Sequence, residues 1–86
     1  MDINQLVEIV KKKIIKNLNV DSVTIEDKTF LHKNHETHSK GKYHIKLIIS
    51  SKELKSMNKI KSTQKIYEIL KVELKNNIHS IQIKLE

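Results

Sequence analysis

The sequence predicts an α+β fold, a two-layer α/β sandwich in which helices cover one face of a three-stranded mixed sheet. Apolar residues recur at helical spacing in two long segments, and they alternate with polar residues in three shorter ones. The order of these segments is α-β-β-α-α-β. Because a helical crossover joins the second predicted strand to the third, we expect those two strands to be parallel. We expect residues 1–86 to form a single domain.

The first helix is predicted by an apolar stripe that follows a capping pair, Asp2 and Gln5. Asn17 and Asn19 can both end this helix. The stripe has three- and four-residue spacings and consists of Ile3, Leu6, Val7, Val10, Ile14 and Leu18. The lysines of this segment lie mostly away from the stripe, which indicates a solvated helix face.

Alternation with period two predicts the first two strands. Val23 and Ile25 face inward in the first strand. The inward positions of the second strand are Tyr43, Ile45, Leu47 and Ile49. The irregular segment between the strands carries three histidines, and we expect it to connect an antiparallel pair.

The second half of the chain predicts two helical segments and a final strand. Ser50 and Glu53 resemble a capping box that opens a short helical turn. A longer helix is expected from Lys59 to Lys75, and its buried stripe consists of Thr63, Ile66, Tyr67, Leu70 and Leu74. In the final strand, Ile78 to Leu85, His79 falls in phase with Ile81, Ile83 and Leu85.

Composition excludes several classes of function. The chain contains no cysteine, which excludes disulfides, zinc knuckles and thiol catalysis. No apolar run is long enough to span a membrane and the N-terminus lacks a secretory pattern, so we expect a cytoplasmic protein without membrane contact. No set of nucleophile, base and orienting group can be identified, which predicts that the chain is not an enzyme.

The net charge of +7 comes entirely from lysine, because the chain has no arginine. Two explanations stay open. An AT-rich genome favours lysine, isoleucine and asparagine codons, and an anionic partner favours positive charge.

Histidine is the only side chain here that suits a transition-metal or cluster site. The chain has five: His32, His35 and His38 in the long connection, and His44 and His79 at strand starts. Any one of them, taken alone, is more typical of a solvated or hydrogen-bonded residue than of a ligand. The spacing of the three loop histidines matches no standard zinc pattern.

Several blocks of the sequence resemble the BolA family. They are residues 27–35, residues 41–45 with Gly41 and His44, the helix segment 65–70, and the closing segment 78–83 with His79. The resemblance spans nearly the whole chain. It implies a fold similar to class II KH domains without their Gly-x-x-Gly loop.

The resemblance also implies a partner and a cofactor. BolA-like proteins pair with monothiol glutaredoxins, and a bridging 2Fe–2S cluster is held by a glutaredoxin cysteine and glutathione on one side. On the other side the matching residues are His79 and a loop ligand, for which His32 fits best and His35 is second. His44 matches a position with a structural role. Whether such a cluster is delivered or sensed stays open.

One departure from the family concerns the partner surface. Ser62, Thr63 and Gln64 replace a basic triplet at the start of the last helix, so Lys59, Lys61 and Lys65 are expected to contact the partner instead.

The alternative function is KH-like nucleic-acid binding as a transcriptional regulator of DNA. The positive charge favours it, whereas the missing Gly-x-x-Gly loop, the missing arginines and the scarcity of aromatic residues oppose it. Without a partner, we expect a monomer or weak homodimer. In a eukaryotic source, an organellar location such as the mitochondrion is also open.

Overall fold

The first helix, α1, spans Ile3–Asn17 in the computed structural model, which describes residues 2–29 and 42–86. The predicted capping box is confirmed. The Gln5 backbone N–H donates to Asp2 Oδ1 (2.8 Å), and the Asp2 N–H donates to Gln5 Oε1 (3.0 Å). Two of the N–H groups that a helix start leaves without partners are thereby satisfied. The helix buries Leu6, Val10 and Ile14.

The sheet consists of β1 (Ser22–Asp27), β2 (Tyr43–Ser50) and β3 (Ile78–Leu85), in the spatial order β1-β2-β3. β1 and β2 are antiparallel, and β2 and β3 are parallel. The predicted fold class, helices on a three-stranded mixed sheet, is confirmed.

The two faces of the sheet differ in polarity, as the alternation predicted. On the inner face Ile45, Leu47 and Ile49 are buried, and Val23 of β1 pairs with Ile49. These residues share one apolar core with the buried side chains of the helices. The other face, here called the outer face, carries mostly polar residues, among them Thr24, Glu26, Lys46, Gln82 and Lys84.

Helix α2 (Lys52–Lys55) begins one residue later than the sequence indicated. Ser50 still belongs to β2, so the expected capping role of Ser50 is wrong. Ser51 caps the helix instead, because its Oγ accepts the Leu54 backbone N–H at 3.2 Å. The same hydroxyl donates to the carbonyl of Asn19 at 2.7 Å, which ties the turn after α1 to the start of α2.

The prediction of one continuous helix from Lys59 to Lys75 is wrong, because the helix is interrupted. The structure has α3 (Lys59–Ile69) and α4 (Lys71–Asn76), and Leu70 between them leaves helical geometry at φ −100° and ψ 19°. The fully buried positions are Ser62, Ile66, Leu70 and Glu73.

The predicted stripe was therefore wrong in part. Ile66 and Leu70 are buried as expected, and Thr63 and Leu74 are only partly buried. Tyr67 is 45% exposed, so it is not a core residue.

A carboxylate occupies a buried position because a lysine of another helix pairs with it. Glu73 of α4 receives the Lys13 ammonium of α1 on both oxygens, at 2.9 and 2.8 Å. The Glu73 side chain is 7% exposed and that of Lys13 is 37% exposed. A buried charge is tolerated only when it is paired, so this contact is what permits Glu73 in the core stripe.

Among the described residues, no helix has the length and apolar character needed to cross a membrane.

Candidate functional site

His79 lies at an irregularity in the pairing of β2 with β3. Tyr43 pairs with Ile78 and His44 with Ser80, so His79 is an extra residue that has no Cα partner on β2. A bulge of this kind changes the face toward which a side chain points. Ile78 is buried and Ile81 contacts the core, whereas His79 between them is exposed. The expectation that His79 is in phase with the core is therefore wrong.

His44 lies against His79. Their ring centroids are 4.7 Å apart and the planes are tilted by 49°. His44 is only 6% exposed. Its Nδ1 is hydrogen-bonded to the Ser80 hydroxyl at 2.6 Å. A buried ring held in this way provides a fixed wall for the exposed ring beside it.

The backbone of His44 is also held. Its N–H donates to Thr29 Oγ1 at 3.1 Å, and its carbonyl accepts the Lys28 N–H at 2.7 Å. These contacts are typical of a residue with a structural role, which is the role that the sequence indicated. Thr29 is itself fixed, because its N–H donates to Asp27 Oδ1 at 2.9 Å in a local turn.

The long connection between β1 and β2 is held near the start of β2 at both of its described ends. At one end, Thr29 contacts His44, whose ring contacts His79. At the other end, the Tyr43 N–H donates to the carbonyl of Asn77 at 2.9 Å, two residues before His79. His32, His35 and His38 lie outside the described residues. The connection that contains them ends beside β3 at Tyr43, whereas its Thr29 end lies on the β1 side of β2.

The described residues do not form a metal site by themselves. Within 2–29 and 42–86, no three His, Cys, Asp or Glu side chains converge on a point where they could hold a metal ion. His79 is the exposed imidazole of the His44–His79 pair. A metal group bound here needs further ligands from the connection or from a partner.

The three lysines predicted to contact a partner do not share one groove. Lys59 and Lys61 are exposed in the first turn of α3. Lys59 lines a groove beside β3, whereas Lys65 lines a different groove beside α1. The Lys65 ammonium lies 3.8 Å from Glu53 Oε2, so it forms an ion pair within the chain.

Ser80 is a residue of the site that the sequence did not predict. A serine after a histidine at a strand start is a weak signal, because regular alternation would place the two side chains on opposite faces. The bulge at His79 is what brings Ser80 opposite His44.

Comparison with known proteins identifies the family. A family model described as BolA-like protein matches residues 14–86. The chain belongs to the BolA-like family.

A curated relative from Haemophilus influenzae, named DNA-binding transcriptional regulator BolA, is 31% identical over 85 residues, which cover 99% of this chain and 77% of the relative. Among solved structures, the BolA domain of SufE1 from Arabidopsis thaliana superposes with a TM-score of 0.82 at 24% identity, covering 99% of this chain and 94% of that domain. BolA1 from the same plant superposes with a TM-score of 0.78 at 25% identity, covering 93% and 88%. The relative from Haemophilus influenzae is named a transcriptional regulator, and the two plant structures are named as BolA proteins or domains. The family is shown by these matches, and the regulatory role is stated only of that relative.

Proposed function

We propose that this BolA-like chain binds a monothiol glutaredoxin and contributes two imidazoles to a 2Fe–2S cluster shared between the two proteins. His79 is the first ligand, and His32 or His35 is the second. The glutaredoxin cysteine and glutathione supply the remaining two ligands. The cluster, when bound, supplies one-electron chemistry and an iron–sulphur unit that can be passed on. The chain itself is a binding partner and not an enzyme.

The observation that carries the proposal is the position of His79. Its imidazole is exposed at a bulge, and the buried ring of His44 lies against one side of it. Ligand residues need fixed orientations, which neighbouring hydrogen-bonded groups usually provide. The hydrogen bond between His44 and Ser80 holds the neighbouring ring and thereby restricts the space open to His79.

Chain connectivity supports the second ligand. His32 follows Thr29 by three residues, so their Cα atoms are at most about 11 Å apart. Thr29 contacts His44, which in turn contacts His79. His35 follows three residues later and has a longer reach. Both histidines are therefore candidates for an iron atom that His79 also binds.

The donor types fit an iron–sulphur cluster with mixed ligands. The chain has no cysteine, so imidazole nitrogen is the donor that it offers to iron in place of thiolate. Two imidazoles on one iron of a 2Fe–2S cluster are known from Rieske centres, where they raise the reduction potential. Protonation removes an imidazole from its metal, so we expect the cluster to become more labile at mildly acidic pH.

The experiment is anaerobic reconstitution of the full chain with a monothiol glutaredoxin, glutathione, iron and sulphide. We expect a coloured heterodimer, with the visible circular dichroism spectrum as the readout. His79→Ala should abolish or change that spectrum, and His32→Ala should change it more than His35→Ala. His38→Ala is the matched control, because it removes a histidine from the same connection and should leave the spectrum as it is. Identical spectra for the variants at 79, 32 and 35 would refute the assignment.

Nucleic-acid binding is the second candidate, because the curated relative from Haemophilus influenzae is named a DNA-binding transcriptional regulator. Fluorescence anisotropy with a labelled duplex, measured at several salt concentrations, tests it. Binding that discriminates between sequences at physiological salt would support a regulator. Binding that is equal for all sequences and is lost steeply with salt would indicate only lysine electrostatics.

The cytoplasmic location and a monomeric or weakly dimeric state in the absence of glutaredoxin are also proposed.

A further inference from the structure

A shallow groove lies between the start of α3 and the second half of β3. Its volume is about 300 Å³. Ile83 and Leu85, both partly buried, form an apolar floor. Lys59 and Lys84 are exposed at its rim, and no carboxylate lines it. Ser62 and Thr63 complete the lining, so the groove is mostly apolar inside and positively charged at its margins.

The backbone of β3 offers hydrogen-bonding groups along this groove. Among the described strands, β3 is at the end of the order β1-β2-β3. The Glu86 N–H donates to the Ile49 carbonyl of β2 at 2.9 Å, so Glu86 points toward β2. Because backbone direction alternates along a strand, Ile83 and Leu85 direct their N–H and C=O groups away from β2.

We infer that this groove binds an extended acidic segment of a partner protein, which adds to β3 as a fourth strand. Strand addition satisfies the outward backbone groups of Ile83 and Leu85, and it is a common mode of peptide recognition. Side chains of the added strand alternate between the two faces of the sheet. Those on the inner face contact Ile83 and Leu85, and those on the outer face meet Lys84.

The chemistry of the lining favours an acidic peptide over the other possible occupants. Single-stranded nucleic acid is usually held by aromatic rings and arginine, and neither lines this groove. A second copy of the chain carries a net charge of +7, so its approach to a lysine-rimmed groove is opposed.

The groove is separate from the His79 site. Lys84 follows His79 by five residues on the same strand, which corresponds to about 16 Å. An occupant of the groove therefore leaves His79 accessible. Binding in the groove does not depend on the cluster, and failure of either proposal leaves the other standing.

The test uses an eight-residue peptide of alternating glutamate and valine, titrated into the nitrogen-15-labelled chain and followed by NMR. We expect chemical-shift changes and slower amide exchange at Ile81, Ile83 and Leu85. A peptide with proline at two valine positions cannot form the strand pairing and should bind much more weakly. A peptide with lysine in place of glutamate should not bind.

Charge reversal supplies a matched pair of variants. Lys59→Glu with Lys84→Glu should weaken binding of the acidic peptide about tenfold, because two positive charges beside the groove become negative. Lys11→Glu with Lys71→Glu changes the net charge equally at exposed sites outside the groove and should have little effect. His79→Ala should bind the peptide like the wild type.

Four results would overturn the inference. The first is no shift at about 1 mM peptide, a concentration at which even weak recognition is visible. The second is equal loss of affinity in both double variants. The third is an oligothymidine that shifts these amides when the peptide does not. The fourth is protection of the β3 amides that rises with protein concentration alone, which would identify a second copy as the occupant.

Discussion

Replacing Ser80 by alanine removes the hydroxyl that lies 2.6 Å from His44 Nδ1. His44 is 6% exposed, so its ring loses a hydrogen bond in a place with little access to water. The net value of such a bond is about 0.5–1.5 kcal/mol. Ser80 itself is exposed, so in the variant water can reach this place and replace part of the interaction. The larger free-energy cost of leaving a fully buried polar group without a partner therefore does not apply. We expect Ser80→Ala to lower the free energy of unfolding by about 1 kcal/mol.

The assay is thermal and urea unfolding followed by far-ultraviolet circular dichroism. For a domain of this size, about 1 kcal/mol corresponds to a decrease in Tm of about 4–8 °C. Ser80→Thr is the matched control, because threonine keeps the hydroxyl and suits a strand. A Ser80→Ala variant as stable as the wild type, or a Ser80→Thr variant that loses as much stability, would refute the proposed role of this hydrogen bond.

Three further predictions test the packing of the fold and the role of His79. Lys13→Met should lower the free energy of unfolding by about 1–3 kcal/mol in urea, because the buried Glu73 carboxylate loses its cation. Adding Glu73→Met should restore much of that loss. A double variant less stable than Lys13→Met alone would contradict this. Leu47→Ala, fully buried in the central strand, should cost about 2–5 kcal/mol, whereas Ile60→Ala, at a site 71% exposed, should change stability by less than about 0.5 kcal/mol. His79→Gln should melt within about 2–4 °C of the wild type, because the side chain is exposed. A larger decrease would mean that His79 supports the fold.

The order of elements and the pairing of the sheet could be predicted from the sequence. Strands and helices were recognised from apolar residues that repeat every two residues or every three to four residues. In β2 and α1 these repeats are regular. Local capping chemistry was also visible at Asp2. At the start of α2 the same pattern was wrong by one residue. Ser50 has a glutamate three residues later, as a capping box requires, but it still pairs within β2, so Ser51 caps the helix.

Features that depend on distant contacts could not be predicted. Glu73 is buried because Lys13, sixty residues earlier in the chain, pairs with it. Sequence periodicity treats a glutamate as a surface residue, so the predicted stripe was rotated toward Tyr67. The helix is interrupted at Leu70, between the predicted stripe of α3 and the buried Glu73 of α4.

The candidate site illustrates the same limit. His79 was identified as a candidate ligand through its position in the BolA-like pattern, but its orientation was predicted incorrectly. One extra residue in β3 reverses the alternation, and no side chain in the sequence marks that bulge. The contact between His44 and His79 follows from the same bulge.

The central claim is that an imidazole nitrogen of residue 79 binds iron in the complex with glutaredoxin. Pulsed electron paramagnetic resonance of the reduced cluster, with nitrogen-15-labelled histidine in this chain only, measures that bond directly. We expect strong hyperfine couplings from two histidine nitrogens, one of which disappears in His79→Ala while His38→Ala retains both. Couplings that are absent from the wild-type complex, or that are the same in His79→Ala, would contradict the claim.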